Sequence, residues 1–589
     1  MKKVKRFYIL LTVIIGLIFL LIGRLAQIQL ISTESFSKEN INLIEASVKQ
    51  RTQEMTIDDG RGKFISRNGA PLTYDTNNRL VLFPFLKKMD WPVKKVAEIV
   101  DIPSFELISE LGNGNKPVVI EKELTSSQME QINNLKYPGI FAVPLQQKNS
   151  SPLAYQLIGV IRQNEKLIQQ KYEEELKKGE LSIHTPIGIT GLQASFDRFL
   201  FPEQESKLLY HVDRFGGPLF GIDVKYTGAA NPFYPVNIKT TIDENIQQMA
   251  QDVVEKHKLK RGGVVLLDVE TNELLALVSK PDINESNPYD EARGIENRML
   301  VPQIPGSIFK TVTAAAAIEE GADIYNRWFD CDLNVRKKEL DEDKKMGQLT
   351  FEDSFARSCN FTFGTLANEI IKKDPAFLEA YAEKLGLLGP VGWSGDVFHF
   401  ENFRQLKEEK QGVVWKTKSK RRDWREVSQT AIGQRDVRVT PLAVANMMAT
   451  IARGGDRFTV RAVDQIQYKN GASLYNFRQQ EDKGEKIKPY TAIQLQKLLR
   501  EVVTHQEGTG RRFQTLPYEV AGKSGTADVI QKKEGEWLVN KWFAGYFPAS
   551  SPKYALVVVD LSTESVQSAA NSVFYDIVQE LYTIDQTQK

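Results

Sequence analysis

The sequence predicts an α+β protein in which a large domain, residues 236–585, follows a mixed polar domain, 30–235, and a single membrane-spanning helix. Three observations predict it. Two apolar hairpins, "GGVVLLDVETNELLALVSKP" and "KWFAGYFPASSPKYALVVVDL", stand at the two ends of the large domain. Mostly helical segments fill the text between them, which implies a sheet whose first and last strands pair. The chain also opens on a basic cluster followed by an apolar run. At 589 residues it exceeds one ordinary core, and about two to four domains are expected.

Taken in order, Lys2, Lys3, Lys5 and Arg6 form a short tail, 1–6, before an uncharged and mostly apolar run from Phe7 to Gly23 that continues past Arg24 to Leu25 and Ile28. Residues 7–29 are therefore the expected anchor, near the short end of the usual length for a spanning helix. A cleaved signal peptide would have a shorter apolar region and a small-residue cleavage site, and "LLIGRLAQIQL" offers no persuasive one. The basic flank predicts a cytoplasmic N-terminus, with everything past residue 30 outside.

Residues 30–235 mix short strand-like pieces, "RLVLFPF" and "KPVVIEKEL", with helical ones such as "SSQMEQINNL", and carry no catalytic pattern. From Val236 the text becomes regular, with "VNIKTTIDENIQQMAQDVVEKHKL" reading as a strand running into an amphipathic helix. The composition is globular, and 77 Lys+Arg against 75 Asp+Glu gives no overall pull toward nucleic acid. His184, His211, His257, His399 and His505 form no ligand cluster, so no metal centre is expected. Cys331 and Cys359 are too few for a disulfide framework and are expected to be two buried or idle thiols. The basic run "WKTKSKRRDWRE", with Trp415 and Trp424 flanking Lys416 to Arg425, has the composition to grip a polyanion, but a solvated loop is the expectation.

The chemistry begins at "VPQIPGSIFKTVTAAAAIEEG". Ser307 and Lys310 stand three residues apart at a helix start, so a hydroxyl and an amine share one face. The backbone N–H groups of that first turn favour negative charge developing on an attacked carbonyl. A serine hydroxyl needs a base, and a lysine serves only when desolvation or another cation keeps it neutral. A lone S-x-x-K is usually no more than a surface helix start. Two further motifs accompany it: Ser358 and Asn360 in "SFARSCNFTFGTL", on a turn between helices, and Lys523, Ser524, Gly525 and Thr526 in "YEVAGKSGTADVI", on a strand.

In this order S-x-x-K, S-x-N and K-[ST]-G-T resemble the active-site set of penicillin-binding proteins and serine β-lactamases. "RGKFISRNGAPLTYD", "GITGLQASFDRFL", "TAIGQRDVRVTPLAVANMMATIARGG" and "HQEGTGRR" narrow the resemblance to class B penicillin-binding proteins, which are membrane-anchored peptidoglycan D,D-transpeptidases. It departs from the family pattern at Ser66 for aspartate, Gln193 for glutamate, Ile308 for threonine, and "GQRD" for a more glycine-rich text. The resemblance implies a serine β-lactamase-like transpeptidase domain on an elongated pedestal, or dimerisation, domain. It implies Ser307 as nucleophile, Lys310 as base, Ser358 as proton relay, Asn360 and Lys523 as catalytic supports, and Ser524, Gly525 and Thr526 as substrate-binding. It implies stem peptides ending in D-Ala-D-Ala as donors, an amine acceptor, β-lactams as covalent inhibitors, and no cofactor. About 200 residues of pedestal hold no glycosyltransferase text, so a glycan-polymerising partner is expected. No appended wall-binding repeats and no extra N-terminal domain are expected.

Rival readings fail on particular residues. "GKS" at Gly522 to Ser524 ends like a phosphate loop, but Pro517 stands where its glycine is required. No serine sits in G-x-S-x-G. A β-lactamase needs no such pedestal, and a β-lactam sensor ordinarily has several spans. A D,D-carboxypeptidase and a non-catalytic scaffold stay open as alternatives; the scaffold predicts decay of a motif, and none has decayed.

Overall fold

The computed structural model describes residues 2–37, 42–112, 116–149, 152–202, 205–213, 225–227, 231, 233–284, 294–531, 537–564 and 568–587. Packing divides the chain into two compact units, one of 1–61, 75–148 and 202–232, the other of 62–74, 149–201 and 233–589.

In the smaller unit the N-terminal helix Lys2–Ala26 runs into a π-helical turn, Gln27–Ile31. Within Val4–Ile31 an 18-residue window has a mean hydropathy of 2.7 and buries nothing in the protein, so the stretch is long and apolar enough to cross a membrane. Beyond it, strand Tyr74–Leu82 lies between Val118–Glu123 and Ile140–Lys148. The strand expected over "RLVLFPF" stops at Leu82, and Pro84 begins a 3₁₀ turn, because proline has no N–H for a ladder. Helix Ser126–Asn134 starts at a capping box between Thr125 and Gln128.

Segments 62–74 and 149–201, expected with the polar domain, pack with the larger unit. The reason is local: strand Lys63–Ile65 pairs in parallel with Asn237–Thr240, and Leu157, Ile158, Leu192, Phe196 and Leu200 join the main core. At Ser66 the buried hydroxyl accepts from the Asn68 and Ala70 N–H groups at 3.2 and 3.1 Å, closing the turn that a carboxylate would otherwise close.

The larger unit is built on a five-stranded antiparallel sheet: β1 (Gly262–Asp268), β2 (Leu274–Lys280), β3 (Ala521–Gln531), β4 (Trp537–Phe547) and β5 (Tyr554–Glu564), in the order β2-β1-β5-β4-β3. The two hairpins thus pair through β1 and β5, with Gly263 opposite Val559 and Leu267 opposite Ala555. Both faces are covered, which accounts for the unbroken apolar text of these strands. Val265, Leu267, Val557, Val559 and Trp542 face one core, and Val264, Leu266, Leu556, Val558 and Phe543 face the other. On the first face pack α1 (Lys310–Glu319), α2 (Phe351–Ala356), α3 (Asn360–Ile370), α4 (Trp424–Ala431), α5 (Pro441–Ala452) and α6 (Pro489–Thr504). Helix α1 is alanine-rich because Ala314 to Ala317 are wholly buried where neighbours approach closely. Helices Glu244–Lys256 and Ala570–Thr587 cover the second face.

The cysteine expectation is corrected. Cys331 and Cys359 form a buried disulfide with a Cα–Cα distance of 5.9 Å. Count alone says nothing of proximity, and here the short strand Phe329–Asp330 delivers Cys331 to the residue that caps α3.

The basic run is half anchored. Trp415 is core, donating from Nε1 to Glu379 at 3.0 Å, Lys420 pairs with Asp436 at 2.8 Å, and Arg421 pairs with Glu379. Lys416, Lys418, Arg422 and Arg425 are exposed.

Leu556, fully buried on the middle strand β5, tests this account of the sheet. Leu556→Ala is expected to cost about 2–5 kcal/mol in a denaturant titration followed by tryptophan fluorescence. A loss below about 1 kcal/mol would mean the two-sided core does not carry the unit's stability.

Candidate active site

Ser307 sits on a 3₁₀ turn, Gly306–Phe309, from which α1 continues at Lys310. With three residues per turn, positions i and i+3 eclipse, so the serine and lysine stand one above the other more closely than on an α-helix. Among the described residues, however, no hydrogen bond joins Ser307 Oγ to Lys310 Nζ. The amine is held instead by the turn between α2 and α3: it donates to the Ser358 carbonyl at 2.6 Å and to Asn360 Oδ1 at 2.6 Å, and lies 3.0 Å from Ser358 Oγ. Ser358 takes φ +63°, with its N–H on the Phe355 carbonyl at 3.2 Å, and this left-handed residue turns both its carbonyl and its hydroxyl to the lysine.

Lys310 has no exposed surface. Burial first, and the nearby Lys523 second, hold its pKa well below the usual lysine value. A neutral amine has two N–H groups and one lone pair. The carbonyl of Ser358 and the amide oxygen of Asn360 take the two donors, and a hydroxyl, which can donate to the lone pair, is the third neighbour.

Lys523 is also wholly buried, and burial lowers it to about 7. Its ammonium lies 5.6 Å from the Phe355 ring centre, while Lys310 lies 5.5 Å from that of Phe363. On β3, Lys523 and Gly525 face inward and Thr526 faces solvent. The Ser524 hydroxyl donates to Thr509 Oγ1 at 2.8 Å. Strand β3 is the edge of its sheet, the position at which an extended peptide can add.

Three glycines bring the backbones together. A Cβ on Gly306, whose φ is +56°, would lie 2.2 Å from the Thr526 carbonyl oxygen; one on Gly525, 2.5 Å from that of Pro305; one on Gly433, 2.0 Å from that of Gly306. Gly306 N–H donates to the Gly433 carbonyl at 3.0 Å, and Gln434 Nε2 donates to the Thr526 carbonyl at 3.3 Å. Trp542 Nε1, on β4, donates to the Ile304 carbonyl at 3.0 Å. Arg435 holds φ +63° where a glycine-rich text would have no penalty, and its guanidinium meets Glu426 at 3.5 Å.

The arrangement brings Lys310, Ser358 and Asn360 into direct contact, sets Gly525 and Thr526 against the turn that carries Ser307, and places Lys523 near enough to Lys310 to lower its pKa. A hydroxyl, a neutral amine, a second hydroxyl and an open strand edge are equipment for acyl transfer on a peptide. Sequence reasoning passed over Phe355, Gln434 and Thr509. The threonine's signal was its place between Gly508 and Gly510 in "HQEGTGRR".

Two family models match the chain: the penicillin binding protein transpeptidase domain over residues 262–579, and the penicillin-binding protein dimerisation domain over 56–220. The peptidoglycan D,D-transpeptidase FtsI of Escherichia coli is 23% identical over 579 residues, 93% of this chain and 85% of that protein. The peptidoglycan D,D-transpeptidase MrdA of Acinetobacter baumannii is 23% identical over 612 residues, 94% of this chain and 84% of that one. A chain from a solved peptidoglycan synthase complex, described for its coordination of polymerization and crosslinking, is similar in fold, with a TM-score of 0.64, 22% identity and 98% of each chain covered.

Two outcomes follow from the geometry. Because the base must be neutral, acid removes it: covalent labelling of Ser307 by a serine-directed acylating agent should slow as pH falls through the lowered pKa of Lys310. A rate with no acid limb anywhere the protein stays folded would exclude Lys310 as the base. Gly306→Ala should slow the same labelling about 100-fold, since its Cβ must push Thr526 away; unchanged labelling would mean that the close approach has no bearing on reactivity.

Proposed function

This chain belongs to the penicillin-binding protein transpeptidase family, and we propose that it is a peptidoglycan D,D-transpeptidase working through a Ser307 acyl-enzyme. The observation that carries this reading is Lys310, wholly buried, its pKa lowered by that burial and by Lys523, and held by Ser358 and Asn360.

In this mechanism a stem peptide lies along the open edge of β3, its terminal carboxylate held by Lys523 and Thr526. Substrate charge at Lys523 favours its ammonium form, and that ammonium keeps Lys310 neutral. Ser307 Oγ attacks the carbonyl between the two terminal D-alanines while its proton passes to Lys310 Nζ. The tetrahedral oxyanion takes hydrogen bonds from the Ser307 and Thr526 N–H groups, each worth about 3 kcal/mol by analogy with other acyl-transfer sites. As the intermediate collapses, the proton moves from Lys310 through Ser358 to the leaving nitrogen, D-alanine departs, and the ester remains on Ser307. Asn360 orients Lys310 and bonds the peptide amide. Gly525 lets the turn carrying Ser307 press against the substrate-binding strand, and Ser524 serves through its own backbone while its side chain braces Thr509. A primary amine from a second stem peptide then attacks the ester, gives its proton to Lys310, and restores Ser307. A β-lactam enters as a mimic of the D-Ala-D-Ala terminus and stays as a slow ester.

The basic tail, 1–6, and the apolar helix support a single-pass anchor with the N-terminus in the cytoplasm and the catalytic unit outside. The 30–235 region, matched over most of its length by the dimerisation model, acts as pedestal. The similar chain in a synthase complex supports a glycan-polymerising partner.

The test supplies the full-length protein with membrane-derived glycan bearing pentapeptide stems and a polymerase. Mass spectrometry of the digested product should show cross-linked dimers that penicillin suppresses and Ser307→Ala abolishes. Lys310→Ala should reduce dimers and penicillin labelling by about 10²–10⁴-fold. Loss of D-alanine with tetrapeptide monomers alone would instead identify a carboxypeptidase.

A further inference from the structure

We infer that Thr509 is a positioning residue for acylation: its hydroxyl ties the strand carrying Lys523–Thr526 to the turn carrying Ser358. This rests on the acyl-enzyme reading above and adds a residue to it.

Thr509 sits on a tight turn after α6. Gly510 N–H donates to the Val502 carbonyl at 2.9 Å, and a Cβ on Gly508 would come within 2.3 Å of the same oxygen. The turn is thus pinned to the helix end, and the threonine is presented from a fixed base. Its hydroxyl accepts from Ser524 Oγ at 2.8 Å and donates to the Ala356 carbonyl at 3.4 Å, while its N–H donates to that carbonyl at 3.1 Å. Ala356 is the last residue of α2, and Ser358 follows two residues on. A continuous chain of donors therefore runs from the K-S-G-T strand through Thr509 to the S-x-N turn.

Two further contacts clasp the same segments. Glu507 pairs with Arg357 at 3.0 Å, and His505 lies 3.4 Å from Asp353. Both contacts involve partly exposed side chains, so neither is expected to hold the two segments alone. What it controls is the spacing of the two lysine supports. Phe355, on α2, lies under Lys523, and Ser358, just beyond α2, holds Lys310. A slip between α2 and β3 moves Lys310 relative to the oxyanion donors, where a displacement near 1 Å costs about 100-fold in rate.

The experiment uses full-length protein with a fluorescent penicillin, following the saturation of labelling rate with concentration, together with a thermal melt. Thr509→Val keeps the shape and removes the hydroxyl. It should lower the limiting acylation rate constant at least about tenfold, leave the concentration for half-saturation within about twofold, and barely move the melting temperature. Thr509→Ser should restore most of the rate. Ser524→Ala should slow acylation likewise, and the double variant Ser524→Ala/Thr509→Val should be little slower than either single one, because one chain is broken in each. A Thr509→Val protein that labels at the normal rate per folded molecule overturns the inference, as does failure of serine to rescue. So does an effect confined to melting temperature. Failure of the wild-type protein to label at all would overturn the acyl-enzyme reading instead.

Discussion

Two amines share one dry compartment, and the rest of the catalytic unit is arranged to keep them there. Lys310 and Lys523 are both without exposed surface, and water is what would ordinarily hold each as an ammonium. Phe363 and Phe355 are in edge-to-face contact, with centroids 5.9 Å apart, and each amine lies near one ring of the pair, at 5.5 and 5.6 Å. That compartment demands a large core around it. The alanine-rich α1, the almost wholly buried α5 and a sheet covered on both faces supply it, and a smaller domain has too little interior to hide two lysines.

Much of this was legible in the text, for identifiable reasons. Motif spacing reads well when it is local: Ser307 and Lys310 stand three positions apart, Ser358 and Asn360 two, and Lys523 to Thr526 are contiguous. The hairpins were legible because strands buried on both faces leave long apolar runs. What was illegible depends on contacts distant in sequence. That β3 is an edge follows from sheet order, which no single strand encodes. The pairing of Cys331 with Cys359 and the bond from Ser524 to Thr509 join residues whose neighbourhood appears only after folding. Segment 62–74 looks like the text around it, yet its strand partner lies at Asn237–Thr240.

The basic run between Trp415 and Trp424 shows why composition alone reads poorly. As text it is one feature. In the structure it is two: Trp415, Lys420 and Arg421 fasten the segment to Glu379 and Asp436, and the remaining cations point to solvent. Its fastened half leads directly into α4 and then to Gly433 and Gln434, so part of its charge serves to hold the approach to the catalytic turn.

The glycine contacts at Gly306, Gly433 and Gly525 have a consequence for heredity. The bed of the groove is main chain pressed on main chain, with closest approaches that exclude even a methyl group. A substitution at any of the three has no room for its side chain, so none is neutral for the reaction the turn and strand support. Inherited variation here is therefore confined to the margins, to residues such as Gln434 and Arg435 that border these contacts, or to outlying braces that alter their timing and leave their shape intact.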